Sequence, residues 1–328
     1  MSGPVMSGPV SGVDRLVAFR VPMRLRFRRV EERSGVLLHG PAGWGEFSPF
    51  PEYGASYSAR WLAAAERDAC EPWPAPVRDL VPVNTTVPAV DPERAAALVR
   101  ASGCRTAKVK VAEPGQDLAA DLARVAAVRE AIGPDGHVRV DANGAWDVAT
   151  AALAIGRLDA HDLQYVEQPC ATIEELRDLR RRVDVPLAAD ESVRTARDPE
   201  RVAAAGAADL LVLKAQPLGG VARALDVAVA AGLPVVVSSA LETSVGLAAG
   251  LAFAAALPEL PYACGLGTGT LLAADVVNDP LLPVDGALAV RRPEPDGALL
   301  DAAAPDPDET AALIERLAQA RAAAGEYR

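Results

Sequence analysis

Charged side chains that could perform acid–base and metal chemistry stand at the ends of successive predicted strands. Lys108 and Lys110 lie two residues apart on one predicted strand, and the period of two in a strand places both side chains on the same face. Acidic or basic residues also end or directly follow the next four predicted strands: Asp141, Glu167, Asp190 and Lys214. If these strands are parallel, all six side chains meet at one edge.

Three carboxylates on consecutive strands, with no histidine or cysteine beside them, favour a hard cation that prefers oxygen ligands. Mg²⁺ is the expected ion and Mn²⁺ a substitute. A single acid at a strand end is more often a helix cap or a surface charge. Three acids and three lysines in the same position make that interpretation much weaker. We therefore expect Asp141, Glu167 and Asp190 to be metal ligands.

The lysines suggest removal of a proton next to a carboxylate. A lysine serves as a base only when the pKa of its ammonium group falls, and burial, a neighbouring ammonium group and a cation all act in that direction. Lys110, with Lys108 beside it, is the expected base. The cation would neutralise the negative charge that develops on the substrate. Lys214, from the opposite side, would stabilise the enolate or act as a second acid or base.

Residues next to the three acids are candidates for orienting them. Arg139 and Asn143 share a strand face with Asp141 and could hold the carboxylates in position. Glu191 adjoins Asp190. It could contact the metal ion or Lys110, and a purely structural ion pair is an equally good interpretation.

Substrate contacts are expected from the last two strand ends. Ser239 follows the seventh predicted strand and could line the pocket. The glycine-rich segment 265–269 follows the eighth, where barrels often bind anions with backbone N–H groups. Gly265 and Gly267 could thus hold a substrate carboxylate, although such segments are more often simple turns.

The elements that position these residues alternate regularly. Short apolar runs and alanine-rich amphipathic segments predict eight strands with helices between them, at intervals of about 25 residues, which is the pattern of a (β/α)₈ (TIM-type) barrel. The predicted strands are Val81–Val87, Thr106–Val111, His137–Asp141, Leu163–Glu167, Pro186–Ala189, Leu210–Lys214, Pro234–Ser238 and Tyr262–Cys264. A doubly wound sheet would more often show a glycine-rich fingerprint after its first strand, and none follows Val87.

The segments flanking the barrel predict a second, smaller domain. Alternating runs over residues 13–46 indicate antiparallel strands, and a helix follows. We expect an N-terminal α+β capping domain over 1–80, with 1–12 disordered, a barrel over 81–282, and a C-terminal segment, 283–328, that packs back on the capping domain.

Composition excludes several classes of protein. The net charge of −11 argues against a nucleic-acid partner, because phosphate binding needs clustered basic residues. The most apolar stretch, 235–257, is interrupted by polar residues and does not predict a membrane span. Four scattered cysteines indicate free thiols in a reducing compartment. We expect a cytoplasmic protein with a small carboxylate substrate; a monomer is plausible, but the oligomeric state is open.

These motifs resemble those of the enolase superfamily, muconate-lactonizing subgroup, over nearly the whole chain. The motifs are Lys108-Val109-Lys110, Asp141-Ala142-Asn143-Gly144, Glu167-Gln168-Pro169, Asp190-Glu191-Ser192 and Leu213-Lys214. The resemblance implies a barrel with a capping domain completed by the C-terminal tail, and a capping loop, residues 47–57, that closes over the substrate.

Within the subgroup the chain is most similar to the o-succinylbenzoate synthase family in its short actinobacterial-type form. The segments that carry this likeness are 43–50, 82–88, 238–244 and 264–269. The likeness implies Mg²⁺-dependent syn dehydration in menaquinone biosynthesis, with Lys110 as base and then acid, and Lys214 steadying the enediolate. N-acylamino acid racemase, dipeptide epimerase and muconate cycloisomerase activities of the same subgroup remain open. A binding protein without activity, or an aldolase with Lys214 as Schiff base, explains the acids less well.

Overall fold

An antiparallel sheet of three strands begins the described part of the chain, which covers residues 12–27, 30–194 and 198–325 of a computed structural model. The strands are β1 (Arg15–Phe27), β2 (Val30–Gly40) and β3 (Gly43–Phe47). Helix α1 (Ala55–Cys70) packs against β3. The expected disorder of residues 1–12 lies outside the described residues, except for Gly12.

Strands and helices then alternate, as the sequence predicts. The elements in chain order are β4 (Leu80–Pro82), β5 (Thr85–Val87), α2 (Pro92–Ser102), β6 (Thr106–Lys110), α3 (Leu118–Ile132), β7 (His137–Asp141), α4 (Val148–Leu158), β8 (Leu163–Glu167), α5 (Ile173–Arg180), β9 (Leu187–Ala189), α6 (Asp198–Ala205), β10 (Leu210–Leu213), α7 (Ala215–Leu218), α8 (Val221–Ala231), β11 (Val235–Val237) and α9 (Ser244–Ala256). The tail contains β12 (Ala287–Ala289), α10 (Gly297–Ala302) and α11 (Pro307–Gly325).

Seven of these strands form one curled parallel sheet in the order β11-β10-β9-β8-β7-β6-β5. Residues 264 and 265 connect its two edges. Cys264 forms a parallel bridge with Val83, beside β5, and Gly265 forms one with Ser238, beside β11. Backbone hydrogen bonds support both bridges, including Gly265 N to Val237 O at 2.8 Å. The sheet therefore closes into a TIM-type barrel.

Two of the eight predicted strands differ from their predicted form. The run Val81–Val87 is divided between two sheets, because β4 pairs antiparallel with β12 while β5 joins the barrel. The eighth strand, expected at Tyr262–Cys264, is reduced to isolated bridges. Both differences lie at the barrel seam, where the chain must bend between partners on either side.

The helices begin where the sequence provides side-chain caps. Asp91, Asp117, Asp147 and Thr172 each accept a hydrogen bond from the third residue of the following helix, which satisfies a backbone N–H that has no partner within the helix. Helix α9 is apolar on all sides and almost wholly buried. No helix within the described ranges is long and apolar enough to cross a membrane.

The C-terminal segment returns to the N-terminal sheet and helix. Helix α11 packs on α1, and Leu317 and Ala320 are buried in a cluster that includes Trp61 and Leu62. This cluster is separate from the large core between the barrel strands and helices. The domain boundaries at 80 and 282 stay predictions.

Candidate active site

The register of the parallel strands brings the predicted site residues together. Lys110 pairs with Asp141 across β6 and β7, and Asp141 pairs with Glu167 across β7 and β8. The carboxyl ends of these strands are therefore level, and β9 and β10 carry Asp190 and Lys214 just beyond their last residues. All of these side chains are buried. The expected grouping of lysines and acids at one edge of the barrel is present.

Each lysine donates to an acid of the same group. Lys108 Nζ lies 2.7 Å from Glu167 Oε1 and 3.3 Å from Asp141 Oδ2. Lys110 Nζ donates to Asp141 Oδ2 at 2.5 Å and to Asn143 Oδ1 at 2.6 Å. The β6 lysines thus hold the first two acids from one side of the barrel mouth.

Lys214 approaches from the other side of the mouth. Its Nζ donates to Asp190 Oδ1, while Arg194 Nη2 lies 3.4 Å from Asp190 Oδ2. Burial and Arg194 lower the pKa of Lys214 although Asp190 opposes this. Burial acts to raise the pKa of Asp190, but Lys214 and Arg194 outweigh it and hold that pKa below its usual value.

The pKa values of the other two acids, Glu167 and Asp141, shift in opposite directions. Burial raises the pKa of Glu167 to about 7, and the neighbouring carboxylates of Asp141 and Asp190 add to the rise. Burial also acts upward on Asp141, but Lys110 and Lys108 hold its pKa below the usual range. Glu167 is thus the acid whose negative charge is least compensated by its surroundings.

A chain of hydrogen bonds connects the expected base to the N-terminal part of the molecule. Lys110 donates to Asn143 Oδ1, and Asn143 Nδ2 donates to Glu191 Oε1 at 3.2 Å. Arg194 donates to the same Glu191 oxygen at 2.7 Å and to the Tyr53 hydroxyl at 2.6 Å. Asn143 and Glu191 therefore lie beside the acids, as expected, and the loop that carries Tyr53 contacts the site through Arg194.

Two properties of the three acids suit a divalent cation: their oxygen donor atoms and their incompletely compensated negative charge. All the candidate ligands are carboxylate oxygens, which hard cations prefer. The buried Glu167 Oε2 lacks a hydrogen-bond donor among the described residues. A bound cation would place a compensating positive charge beside this carboxylate. Within those residues, no three acidic, histidine or cysteine side chains form a ready metal cluster; the lysine ammonium groups neutralise the acids instead. The residues fit the ion, but the ligand set stays a prediction.

A pocket of about 430 Å³, including its open mouth, lies above the acids. Its lining combines the barrel residues with one residue of the loop after β3: Phe50, Thr86, Lys108, Lys110, Asp141, Asn143, Asp190, Lys214, Ser238, Ser239, Ala240, Leu241, Gly265 and Thr268. Ser239 Oγ lies 2.6 Å from Thr268 Oγ1. Ser239 thus lines the pocket as expected.

The expected anion-binding glycines have packing roles. A Cβ added at Gly265 would come within 2.6 Å of Ser238 Oγ, and one at Gly267 within 2.6 Å of Asn84 O. The Gly265 N–H already donates to Val237 O. Gly265 lines the pocket, whereas Gly267 is absent from the lining. The close approach of neighbouring segments therefore explains both glycines without an anion.

Arg139 lies below the mouth, inside the barrel. It donates to Gln164 Oε1 at 2.7 Å and to Ala263 O at 2.7 Å, and its guanidinium group stacks on the rings of Tyr165 and Tyr262. Within the described chain these contacts connect Arg139 to the barrel seam, not to the three acids. Its position two residues before Asp141 puts it one layer deeper in the barrel.

Sequence reasoning did not identify Gln168 as a site residue. Gln168 Oε1 accepts the backbone N–H groups of Asp190 at 2.9 Å and Ser192 at 3.2 Å, while Gln168 Nε2 donates to Ser192 Oγ at 2.7 Å. These bonds fix the turn that presents Asp190. The sequence feature that could have identified Gln168 is its position directly after Glu167, at the end of the same buried strand. Phe50 and Tyr53 lie in the loop 47–57 that the family resemblance places over the substrate, whereas Arg194 had no comparable signal.

Comparisons with known proteins identify the family of the chain. Residues 91–298 match the family described as enolase C-terminal domain-like, and residues 18–69 match the enolase N-terminal domain-like family. The o-succinylbenzoate synthase of Thermobifida fusca (strain YX) is 63% identical over 306 residues, 93% of this chain and 96% of that protein. The o-succinylbenzoate synthase of Mycolicibacterium smegmatis is 57% identical over 298 residues, 90% of this chain and 92% of that protein.

Solved structures have the same fold at lower identity. The muconate lactonizing enzyme of Pseudomonas putida superposes with a TM-score of 0.76 at 23% identity, covering 89% of this chain and 99% of that one. The L-Ala-D/L-Glu epimerase of Bacillus subtilis superposes with a TM-score of 0.73 at 24% identity, covering 87% and 97%. These likenesses concern the fold alone. By its family matches and its curated relatives, the chain belongs to the enolase superfamily and, within it, to the o-succinylbenzoate synthase family.

Proposed function

We propose that the protein is a lyase that converts 2-succinyl-6-hydroxy-2,4-cyclohexadiene-1-carboxylate to 2-succinylbenzoate and water, the o-succinylbenzoate synthase reaction of menaquinone biosynthesis. The observation that carries this proposal is the 63% identity to a synthase of that name over 96% of its length. The complete set of three acids and three lysines at the barrel mouth supports it.

Lys110 is the proposed general base and general acid. It takes the proton on the carbon that bears the substrate carboxylate. It then returns a proton to the hydroxyl group that leaves from the adjacent carbon, on the same face of the ring, so that one water molecule departs and the ring becomes aromatic. Its position in the pocket lining, held by Asp141 and Asn143, supports this role.

Asp141, Glu167 and Asp190 are the proposed ligands of a divalent cation, Mg²⁺ with Mn²⁺ as a substitute. When bound, the cation supplies positive charge beside the substrate carboxylate, where a second negative charge develops as the proton leaves. The oxygen-only donor set and the unsatisfied Glu167 Oε2 support the assignment.

Lys214 and Lys108 are proposed to stabilise the same negative charge from two sides. Lys214 lies opposite the β6 lysines and stays within the pocket lining. Burial opposes the charge of Lys108, but Glu167 and Asp141 raise its pKa above the usual value. Lys108 therefore keeps its proton and acts as a fixed positive charge and donor.

The proposal extends to the class of substrate, the cellular location and the domain boundaries. A small carboxylate suits the lysine residues in the lining of the pocket. We further propose a cytoplasmic protein without a nucleic-acid partner, consistent with the net charge of −11, divided into a capping domain (1–80), a barrel (81–282) and a returning tail (283–328).

N-Acylamino acid racemisation is a second candidate activity. Racemases need a base on each face of the α-carbon, and Lys110 with Lys214 on opposite sides of the mouth satisfies that requirement. The two reactions share their first step, proton removal next to a carboxylate. They differ in whether a leaving hydroxyl is present.

A direct comparison of the two reactions tests the proposal. Purified protein with Mg²⁺ is assayed on the cyclohexadiene substrate, followed by the loss of diene absorbance, and on N-succinylamino acids, followed by loss of optical rotation. We expect dehydration to have the larger kcat/KM. Racemisation that is faster than dehydration would reverse the assignment, and activity on neither substrate would refute both.

A further inference from the structure

Arg33 on β2 is an arginine buried between the N-terminal sheet and the barrel, with 2% of its surface exposed. Its Nε donates to Leu241 O at 3.0 Å, and its Nη2 donates to Ser48 O and lies 3.4 Å from Ala240 O. Leu241 and Ala240 are more than 200 residues away in sequence, in the loop after β11. The planar guanidinium group thus joins the end of β3 to a barrel loop with one side chain.

The groups that Arg33 contacts form one wall of the pocket. Ala240 and Leu241 line it, and so does Phe50, whose ring lies under the Arg33 guanidinium group at 4.4 Å. Leu241 has a φ of +63°, a left-handed conformation that is costly for residues with a Cβ. Its carbonyl bond to Arg33 helps to hold this conformation.

Glu46 on β3 anchors the same loop at its far end. Its carboxylate accepts Thr243 Oγ1 at 2.5 Å and Gly246 N at 3.1 Å, where helix α9 begins. Both side chains therefore bind the segment 240–246. Arg33 donates to its backbone carbonyls, and Glu46 accepts from its hydroxyl and N–H groups. The residues of this loop that line the pocket are Ser238 to Leu241, and Arg33 binds the carbonyls of the last two, Ala240 and Leu241.

We propose that Arg33 is a positioning residue for substrate binding: it sets the pocket wall formed by Phe50, Ala240 and Leu241. This inference rests on the proposed function, because it assigns the wall to that reaction's substrate. The contacts of Arg33 given above are with the wall itself: the carbonyls of Ser48, Ala240 and Leu241 and the Phe50 ring. Its loss should therefore weaken substrate binding much more than it slows the chemical step.

Two variants test this role in the full-length protein. Arg33→Met keeps most of the side-chain volume but removes every donor, and Arg33→Lys keeps the charge but loses the planar fork. For Arg33→Met we expect KM and the dissociation constant of 2-succinylbenzoate, measured by calorimetry, to rise about tenfold or more, with kcat falling less than about threefold. Arg33→Lys should lie between this variant and the native protein. If Arg33→Met does not fold, Arg33→Lys carries the same test.

Arg129→Met is the matched control. Arg129 on α3 also donates to backbone carbonyls, those of nearby Gly133 and Gly136 and of His161, 32 residues away, but none of these lines the pocket. Both substitutions should lower the melting temperature, and only the Arg33 variants should raise KM. A KM within about twofold of the native value in the Arg33 variants, or an equal rise in Arg129→Met, would refute the proposal.

Hydrogen exchange separates this inference from the proposed reaction, because it needs no substrate. In Arg33→Met, amide exchange in segment 238–243 should become about tenfold faster or more, while Arg129→Met keeps the native rate there. If the native protein fails to dehydrate the cyclohexadiene but this exchange result holds, the proposed function is wrong and the wall assignment stands. Unchanged exchange in both Arg33 variants would refute the wall assignment, whatever the activity.

Discussion

Among the 33 lysine and arginine residues of the chain, three are lysines, and all three line the pocket. Arginine keeps its proton under all physiological conditions, whereas lysine loses its proton when its surroundings disfavour the charge. The chain thus has lysine only in the pocket lining, whereas arginine makes structural contacts elsewhere, as at Arg33 and Arg129. The acids around Lys108 hold its proton, which makes Lys110 the better candidate for the base.

Replacement of the base should remove turnover without removing the metal site. For Lys110→Ala we expect kcat to fall by about 100-fold to 10,000-fold, the range that general acid–base catalysis contributes. Lys110→Arg should be equally impaired, because it keeps the charge but cannot release the proton. Steady-state assays measure the loss, and calorimetry with Mg²⁺ should still detect binding. Near-native turnover in either variant would assign the base elsewhere.

Removal of one acid should weaken the metal site. Asp190→Asn keeps the shape but removes a charge, so we expect the affinity for Mg²⁺ to fall at least about tenfold. Asp147→Asn is the control, because Asp147 is an exposed helix cap of α4 and asparagine caps equally well. Titration calorimetry of both variants gives the comparison. Equal affinity in the two would exclude Asp190 from the ligand set.

At the scale of elements, the junction between β3 and α9 is one of the contacts that couple the N-terminal sheet to the barrel. Glu46 on β3 receives hydrogen bonds from Ser48, Thr243 and Gly246, and the positive end of the α9 dipole faces it. These groups favour its charged form. Burial, with a smaller contribution from Glu242, outweighs them and raises the pKa of Glu46 to about 7. The junction is thus sensitive to pH near neutrality.

Stability should therefore depend on pH through Glu46. Its pKa is higher in the folded state, about 7, than its ordinary value of 4.5. The native state thus binds the proton more tightly than the unfolded chain, and its contribution is lost as pH rises from 4.5 through 7. The shift corresponds to about 3 kcal/mol. Urea unfolding from pH 4.5 to 8 should show the loss, and Glu46→Gln should reduce the slope. Identical slopes in both proteins would contradict this.

At the scale of the whole molecule, the two ends of the chain form one unit beside the barrel. Helix α11 packs on α1, and Arg316 donates to Pro49 O at 2.9 Å and to Tyr53 O at 3.2 Å. The tail therefore supports the loop that carries Phe50 and Tyr53 toward the pocket. Helix α11 thus supports the pocket indirectly, through the loop after β3, although none of its residues lines the pocket.

Loss of a buried contact in the tail should lower stability and leave the chemistry intact. Leu317 is 2% exposed, so Leu317→Ala should reduce the free energy of unfolding by about 2–4 kcal/mol. Leu153→Ala, at a leucine 62% exposed, should change it by less than about 0.5 kcal/mol. Chemical denaturation measures both, and kcat should stay near the native value in both. A larger effect at Leu153 would contradict the packing described for α11.

The amino-acid sequence by itself determined the residues at the strand ends. Period-two alternation and the common direction of parallel strands place Lys110, Asp141 and Glu167 at one edge whatever the distant contacts are. Local capping likewise determined helix starts such as Asp91 and Thr172, because each cap bonds within its own first turn. These features depend on neighbours in sequence, so they can be read from it.

Only the tertiary structure decided how the barrel closes and what covers its mouth. The run Val81–Val87 predicts one strand, yet its halves pair with different partners, because those partners lie in segments that are distant from each other in sequence. The contact of Arg33 with Leu241 spans 208 residues, and no local pattern encodes such a pairing. The pocket wall therefore depends on packing between distant segments, whereas the reactive groups depend on strand periodicity.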